Sequence, residues 1–384
     1  MQGWLQAIFV LCVAFTLYTL AGYPLLLAML ARAHSRPVHK KWQPRTVTVL
    51  LPVRNGERWI RGKLESLLAL RYPRELVQIL VISDGSTDRT DEIVQSFADH
   101  GAVHLLQVPP VGKALALNAG LGHATGEILF LTDVRQELHP DSLHNLVACF
   151  SDDAVGAASG ELIIRDGESL EELSVGMYWK YEKWIRRRQS RIDSMLGASG
   201  CIYAMRRELA APLPPGTLAD DMFLPLGAFF RGYRIVFDES ARAFDYPTAL
   251  NAEFRRKVRT QAGVYQIIRP YPQLLTPRNR MWLHFVSHKL ARLALPYVLL
   301  LAFATSFALP DPWKTIALSG QAIWYGLALA DLWLPDRFPL KRLTSATRSF
   351  VVLMAAALCA VSVIFTPSGR LWKETRVHPT RPIS

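Results

Sequence analysis

Two apolar runs that each end in an aspartate constrain the fold of this 384-residue chain more than any other feature. The first run ends at Asp84 and the second at Asp133. About five or six residues rich in Val, Ile and Leu, stopped by Ser-Asp or Thr-Asp, are typical of a buried parallel strand. Because ligands bind outside the carboxyl ends of such strands, we expect both aspartates to lie at the edge of one crevice.

Strand and helix patterns alternate over the first part of the chain. They predict strands over 46–53, 76–83, 103–108 and 126–132, and helices over 60–70, 87–100 and 113–124. This alternation favours an α/β fold with a mostly parallel sheet and right-handed crossovers. Farther on, the patterns predict helices over 140–150, 170–189 and 252–268, a helix that opens at 218–224, and strands over 154–164 and 196–204. The helix over 170–189 is predicted to pack on the sheet with a solvated basic end at Arg186, Arg187 and Arg188, or alternatively to line an acceptor path with its aromatic face.

The ends of the chain are more apolar than its middle. Residues 5–30 are long enough to cross the ~30 Å hydrocarbon layer, and the residues before them carry no basic side chain, unlike a cleaved signal peptide. We therefore predict a retained transmembrane helix over 1–33. Basic residues follow it, so the positive-inside tendency places the next domain in the cytoplasm: Arg32, Arg36, Lys40, Lys41 and Arg45.

The C-terminal part predicts further membrane contact. An interfacial helix is expected over 281–292, a transmembrane region with about three apolar segments over 293–366 (runs at 293–309, 313–334 and 350–365), and a basic tail over 367–384. The tail and the loop near Arg342 are equally basic, so both cannot be cytoplasmic if one span separates them. The total number of transmembrane spans is therefore three or four. If it is three, one of the apolar runs is re-entrant or interfacial.

Net charge and cysteine usage narrow the class of protein. The formal charge is +12, and the basic residues cluster beside the apolar segments and in one late helix. This distribution fits anionic lipid headgroups and a pyrophosphate-bearing ligand, and we expect no nucleic-acid partner. The four cysteines are scattered without paired or metal-ligand spacing, which predicts no disulfide framework and a reducing compartment for the soluble part.

The aspartates at the strand ends are candidates for chemistry. Asp84 and Asp88 flank a Gly-Ser-Thr turn whose free N–H groups and hydroxyls can meet a polar ligand. The same residues also make a good turn, with Asp84 or Ser86 as the cap of the next helix. Asp133 has no capping duty, and its hard oxygen atoms suit Mg²⁺ or Mn²⁺ bridging phosphates.

Charged residues at helix starts form a second group of candidates. Lys113 is placed where the helix dipole disfavours a cation, and a bound phosphate would resolve that conflict. Asp220 and Asp221 open a helix, where capping explains one carboxylate and leaves the other as a candidate general base. Arg259 lies on the basic helix and could neutralise a departing diphosphate, with a solvated or lipid-facing helix as the alternative.

Together these motifs resemble the membrane-bound family 2 glycosyltransferases, which are related to polysaccharide synthases. The resemblance covers about residues 46–263 in the family's order. It is carried by Leu51-Pro52-Val53-Arg54-Asn55-Gly56, Ser83-Asp84-Gly85-Ser86-Thr87-Asp88, Gly112-Lys113-Ala114, Asn118, Gly120, Thr132-Asp133, Gly197-Ala198-Ser199-Gly200 and Asp220-Asp221.

The resemblance implies a GT-A fold over 46–270, a nucleotide-diphosphate sugar donor that is usually UDP-linked, and inversion at the anomeric carbon. By position it implies that Asp84 and Lys113 contact the nucleotide, and our donor-binding set also includes Asp88 and Arg259. It implies that Asp133 serves a divalent cation, Mg²⁺ or Mn²⁺, and the diphosphate. Asp221 would be the base, with Asp220 where the family often has Glu, and the predicted strand with Gly197, Ser199 and Gly200 would border the acceptor.

Two departures from the family pattern affect this interpretation. Where the family has Asp-x-Asp, this chain has Asp133-Val134-Arg135, so Arg135 either supplies part of the metal's charge or points elsewhere. The Gln-x-x-Arg-Trp signature of processive synthases reads Arg256-Lys257-Val258-Arg259-Thr260, which retains only Arg259. This change disfavours long-chain polymerisation.

The leading hypothesis is a multi-pass glycosyltransferase of the hexosyltransferase type in the inner (plasma) membrane, with its catalytic domain in the cytoplasm. The acceptor would be a hydroxyl of a polysaccharide or a lipid, and further partners would be membrane lipids and an envelope polysaccharide complex. An alternative, prompted by Arg135, is a catalytically degenerate nucleotide-sugar-binding subunit of a polysaccharide export complex. A transporter is disfavoured because the late spans contain few polar residues.

Overall fold

The computed structural model describes residues 2–164, 170–246, 250–335 and 338–365, and the predicted tail over 367–384 lies outside them. The chain divides into two compact units. The sheet unit comprises Ala31–Arg165 and Arg186–Tyr246, and the helical unit comprises Met1–Leu30, Asp166–Ile185 and Pro247–Ser384.

The described part of the sheet unit contains an eight-stranded sheet with the order β3-β2-β1-β4-β7-β6-β8-β5. Its strands are β1 (Val47–Val53), β2 (Val77–Asp84), β3 (Val103–Val108), β4 (Ile128–Leu131), β5 (Glu137–Leu138), β6 (Val155–Ile164), β7 (Tyr203–Arg206) and β8 (Arg234–Asp245). The first four strands are parallel, β6 pairs with β8 in parallel, and β7 and β5 pair antiparallel to their neighbours. The predicted mostly parallel α/β sheet is confirmed.

The central strands are apolar because both of their faces are covered. Leu50 and Leu51 on β1 point to opposite faces, and both are fully buried, as are Val81 and Ile82 on β2. The sequences of such strands are continuous apolar runs and do not alternate between apolar and polar residues. Parallel pairing also places Asp84 at the end of β2 and Asp133 just beyond the end of β4 on one edge of the sheet, as expected from the sequence.

Helices connect the strands and form most of the helical unit. They are α1 (Gln2–Leu17), α2 (Tyr23–Ala33), α3 (Glu57–Leu68), α4 (Thr90–Gln95), α5 (Lys113–His123), α6 (Ser142–Ala148), α7 (Leu170–Ile192), α8 (Asp220–Phe230), α9 (Leu250–Ile267), α10 (Trp282–His284), α11 (Ala291–Ser306), α12 (Trp313–Ala330) and α13 (Lys341–Ala360). The helix predicted over 87–100 is shorter, because α4 ends at Gln95 and a separate 3₁₀ turn follows at Ala98–His100.

The predicted cap of that helix is wrong. The helix begins after Arg89, and neither Asp84 nor Ser86 reaches its first turn. The carboxylate of Asp84 instead accepts hydrogen bonds from a later part of the chain. Asp88, two residues before the first residue of the helix, accepts a hydrogen bond from the N–H of Thr90 at 3.0 Å.

The basic linker after the first helix runs along the sheet unit. Three of its cations form ion pairs with carboxylates of this unit. These pairs are Arg36 with Asp193 at 3.0 Å, Lys40 with Asp238 at 2.7 Å and Arg45 with Glu127 at 3.3 Å. The linker is thus attached to the sheet unit along its length.

Three helices in the described part of the chain are long and apolar enough to cross a membrane: Gly3–Ala33, Trp282–Ser306 and Lys341–Ile364. The predicted interfacial segment over 281–292 lies in the same continuous helix as the start of the predicted span over 293–309. The run predicted over 313–334 forms α12, which is not among these three candidate spans.

Candidate active site

Asp84 holds the turn that leads into α5. Its Oδ1 atom accepts hydrogen bonds from the backbone N–H groups of Val111 at 2.8 Å and Gly112 at 3.0 Å. Gly112 has a φ of 88°, in the left-handed region that glycine adopts without steric cost. Because α5 begins at the next residue, the Asp84 carboxylate fixes the backbone from which the Lys113 side chain projects.

Asp88 connects the turn after β2 to the start of α3. Besides its bond to Thr90, it accepts a hydrogen bond from the N–H of Glu57 at 3.0 Å. Burial alone would raise the pKa of Asp88, but these hydrogen bonds hold it below its ordinary value. Asn55, at a φ of 51°, supports the same turn by accepting the N–H of Thr87 at 2.8 Å. Asp88 thus has a clear structural task, and its donor-binding role stays a prediction.

Lys113 joins two carboxylates that come from distant parts of the chain. Its Nζ atom lies 3.0 Å from Oδ1 of Asp133, beyond β4, and 3.2 Å from Oδ1 of Asp220, at the start of α8. Burial lowers the pKa of Lys113, but the attraction of Asp133 and Asp220 outweighs it and raises that pKa above its ordinary value. The amine therefore stays a charged ammonium group at neutral pH.

Asp221 lies beside this cluster and next to the loop Gly197–Gly200. Its backbone carbonyl accepts the N–H of Ala198 at 2.7 Å, and a Cβ atom added to Gly200 would lie 3.3 Å from its Oδ2 atom. Burial and the repulsion of Asp220 raise the pKa of Asp221, whereas Lys113 and Arg186 lower it, and the result is about 6. A carboxylate with this pKa is ionised at neutral pH and basic enough to take a proton in a transition state.

The glycine-rich segment over 197–200 is a loop, so the strand predicted over 196–204 is wrong for these residues; β7 begins at Tyr203. The N–H of Ala198 donates to the carbonyl of Asp221, and the N–H of Ser199 donates to the side-chain Oγ of Ser159 on β6 at 2.9 Å. Gly197 has a φ of 134°, and a Cβ atom there would lie 2.7 Å from Cγ of Met222. The glycines thus allow the loop to pack closely on the start of α8.

Arg186 is a site residue that the sequence did not reveal. Its Nη1 atom donates a hydrogen bond to Oγ of Ser199 at 2.8 Å, and its charge lowers the pKa of Asp221. The adjacent Arg187 pairs with the exposed Glu239 at 3.2 Å. Successive residues of a helix point about 100° apart, so three consecutive arginines have different surroundings. No signal in the sequence separates the one that faces the site from the others.

Tyr203 lies fully buried at the start of β7. Burial raises its pKa well above the ordinary value, and the charges of Asp220, Asp221 and Asp133 raise it further. Its hydroxyl has no hydrogen-bond partner among the described residues. An unpaired buried hydroxyl is uncommon, and this one lies within electrostatic reach of all three carboxylates.

Lys63 supports the loop that carries Asp133. Its buried Nζ atom donates to Oγ1 of Thr132 and to the carbonyl of Gln136, both at 2.7 Å. Burial lowers the pKa of Lys63 to about 7. Helix periodicity could have identified this lysine, because it shares the spacing of the buried residues Ile60, Leu64 and Leu67.

The sequence left open whether Arg135 supplies part of the metal's charge or points elsewhere, and in the structure Arg135 points elsewhere. Its guanidinium forms an ion pair with Asp245 at the end of β8, and Nε2 of Gln136 donates to the same carboxylate at 2.9 Å. The charge of Arg135 is therefore balanced at β8. Arg259 lies on α9 of the helical unit, and its donor-binding role stays a prediction.

The described residues contain no group of three His, Cys, Asp or Glu side chains that could hold a metal ion. Two carboxylates, Asp133 and Asp220, nevertheless converge on a single cation, the ammonium of Lys113. Mg²⁺ is commonly bound by one or two carboxylates, with substrate phosphates and water as its other ligands. The residues present therefore fit a divalent cation that arrives with a diphosphate.

Residues 48–212 match the family model described as Glycosyl transferase family 2. These residues form a family 2 glycosyltransferase domain. The domain contains Asp84, Lys113, Asp133 and the loop Gly197–Gly200, and the resemblance proposed from the sequence motifs is confirmed.

Two curated relatives of the glycosyltransferase domain illustrate the match. A probable glycosyltransferase, YdaM of Bacillus subtilis, is 25% identical over 237 residues, which cover 58% of this chain and 56% of the relative. A poly-beta-1,6-N-acetyl-D-glucosamine synthase of Staphylococcus aureus is 24% identical over 229 residues, which cover 58% of this chain and 55% of the relative. The match thus spans little more than half the length of these relatives.

The chain also resembles a solved structure over most of its length. The mannosyltransferase PcManGT from Pyrobaculum calidifontis, in complex with GDP-Man and Mn²⁺, has a TM-score of 0.71 and 24% sequence identity. The similarity covers 93% of this chain and 99% of that one. Together with the sheet order, this similarity confirms the predicted GT-A fold.

Proposed function

We propose that this chain is a membrane-integral inverting glycosyltransferase of the hexosyltransferase type. It transfers a sugar from a nucleotide-diphosphate donor, UDP-linked in our expectation, to a hydroxyl group of a polysaccharide or lipid acceptor. The observation that carries the proposal is the convergence of Lys113, Asp133, Asp220 and Asp221 with the loop Gly197–Gly200. These groups come from four separate parts of the sequence and meet at the edge of the sheet where ligands bind in α/β folds.

Asp221 is the base in this proposal. Its carboxylate takes the proton of the acceptor hydroxyl while the acceptor oxygen forms a bond to the anomeric carbon. The bond from that carbon to the diphosphate breaks at the same time on the opposite face, which inverts the configuration. A base with a pKa of about 6 is ionised at the pH of the cytoplasm and ready to act.

The leaving diphosphate is stabilised by positive charge. Lys113 supplies an ammonium group on a fixed backbone, and Arg259 supplies a second cation in our proposal. A divalent cation, Mg²⁺ or Mn²⁺, would further neutralise the diphosphate when bound, with Asp133 as its protein ligand. Asp84 and Asp88 complete the proposed donor-binding set by holding the turns around it.

We also propose that the chain lies in the inner (plasma) membrane as a multi-pass protein, with the sheet unit in the cytoplasm. Three candidate spans support membrane insertion, and basic residues flank them. Nucleotide sugars are the proposed donors, so a cytoplasmic catalytic domain is consistent with this placement. Membrane lipids and an envelope polysaccharide complex are the further partners that we propose.

The test is a donor panel with one matched pair of variants. Purified full-length protein is incubated with UDP- and GDP-linked sugars, with and without Mn²⁺, and released nucleotide and glycosylated product are measured. We expect Asp221→Asn to lose at least about 100-fold in turnover, as typical for loss of a general base, with nucleotide affinity retained. Asp153→Asn removes a fully exposed carboxylate of the same unit and should retain wild-type turnover.

Two results would contradict the proposal. Full turnover in Asp221→Asn would remove this residue from the role of base. Tight UDP binding without consumption of any sugar nucleotide would instead favour the degenerate binding subunit. The length of the product made by membranes from labelled donor then separates a polysaccharide acceptor from a lipid acceptor.

A further inference from the structure

The second position of the family's Asp-x-Asp motif cannot bind a cation in this chain, because it holds Arg135. Arg135 is paired with the buried Asp245, and Gln136 bonds to the same carboxylate. A second carboxylate nevertheless faces Asp133 from another element, since Asp220 at the start of α8 reaches the same cation. Asp133 and Asp220 thus both contact the ammonium of Lys113, although only Asp133 comes from the loop after β4.

The cation between these carboxylates belongs to the protein itself. Nζ of Lys113 lies 3.0 Å from Asp133 and 3.2 Å from Asp220, and the side chain of Asp220 is only 8% exposed. Two carboxylates this close destabilise each other unless a positive charge lies between them. The hydroxyl of Tyr203, buried nearby without a partner among the described residues, is a second sign that this polar cluster is incomplete as it stands.

We propose that the Lys113 ammonium is a resident cation, which occupies the place of the donor's divalent cation between Asp133 and Asp220 and leaves when the donor binds. This proposal rests on the proposed function. The backbone at Lys113 is fixed by the bonds of Asp84 to Val111 and Gly112, so the exchange requires only rotation of a flexible side chain. The ammonium then moves to the diphosphate, and the carboxylates accept the divalent cation.

A resident cation predicts weak metal binding in the absence of a donor. The ammonium is covalently attached, so its effective concentration beside the carboxylates is at least in the millimolar range, and free Mn²⁺ must compete with it. A nucleotide diphosphate removes this competition because its own negative charge attracts the ammonium. Removing the ammonium by mutation should therefore strengthen metal binding, which is the opposite of the effect expected if Lys113 were needed only to hold the site together.

The test measures Mn²⁺ binding to nucleotide-free, full-length protein by electron paramagnetic resonance. We expect Lys113→Met to bind Mn²⁺ at least about tenfold more tightly than the wild type, because it removes a positive charge from contact distance. Lys113→Arg retains the charge and should bind Mn²⁺ as weakly as the wild type. In the Lys113→Met background, Asp133→Asn or Asp220→Asn should abolish the gain. Asp221→Asn changes a neighbouring carboxylate that forms no ion pair with Lys113 among the described residues, and it should retain most of the gain.

Equal Mn²⁺ affinity of the wild type and Lys113→Met would overturn the proposal, as would a gain that persists without Asp133 or Asp220. Lys113→Gln provides a second neutral variant if Lys113→Met does not fold, and circular dichroism verifies the fold of each variant. The assay contains no donor and no acceptor. A failure of this inference is therefore distinguishable from a failure of sugar transfer, which the donor panel measures separately.

Discussion

Replacing Arg186 with Gln should move the acid limb of the pH–rate profile to higher pH. Burial and Asp220 raise the pKa of Asp221, while Lys113 and Arg186 lower it, and the balance is about 6. An opposite charge within ~4–6 Å lowers a carboxylate pKa by roughly 1–3 units. Because Arg186 shares this task with Lys113, we take the lower end and expect the pKa of Asp221 to rise by about one unit in Arg186→Gln.

This shift predicts an effect that depends strongly on pH. At pH 6.5, about three quarters of Asp221 is ionised when its pKa is about 6, and about one quarter when its pKa is about 7. The variant should therefore be about threefold slower than the wild type at pH 6.5. At pH 8, about nine tenths or more is ionised in both proteins, so their rates should agree.

The assay is kcat/KM for nucleotide release, measured from about pH 5 to about pH 8.5, because the pH profile of kcat/KM reports the pKa of the base in the enzyme without bound substrates. Arg187→Gln is the matched control, since it removes the same charge from an adjacent position whose partner, Glu239, is exposed. An acid limb in Arg186→Gln that coincides with those of the wild type and the control would refute the electrostatic argument. A loss of the same factor at every pH would refute it as well, because that result would indicate a misplaced loop rather than a shifted pKa.

Two further predictions concern stability. Gly197→Ala should lower the free energy of unfolding, measured by denaturant titration, by about 2 kcal/mol or more. Alanine is strained at a φ of 134°, and its Cβ would lie 2.7 Å from Met222. Gly62→Ala, in an open part of α3, is the control and should have no such cost. The pKa of Lys63 is lowered from 10.5 to about 7 on folding, so above pH 7 the unfolded chain binds a proton that the folded protein lacks, and stability should rise by about 2 kcal/mol between pH 7 and pH 9. Lys63→Met should abolish this rise. If the unfolding midpoint changes equally between the two pH values in the wild type and in Lys63→Met, the prediction is contradicted.

The sequence by itself determined the four parallel strands β1 to β4 of the sheet unit, whereas β5 and β8 were not predicted from it. Apolar runs stopped by Ser-Asp and Thr-Asp located β2 and β4, and the parallel pairing of both strands with β1 brought Asp84 and Asp133 to one edge. These strands can be predicted from local patterns, because a strand that is buried on both faces has apolar residues at consecutive positions. The ends of helices were predicted less accurately. Asp84 was expected to cap α4, but its carboxylate is bonded to the distant turn at Val111 and Gly112.

Only the tertiary structure decided which charged residues act together. Lys113 and Asp220 are distant in sequence, yet they form an ion pair, and Arg135 is neutralised by Asp245 rather than facing the site. Arg186 cannot be told from Arg187 in the sequence, although Arg186 contacts Ser199 in the loop Gly197–Gly200 and Arg187 contacts an exposed glutamate. The physical reason is that electrostatic energy depends on the distance and burial of a pair of charges, and the fold sets both.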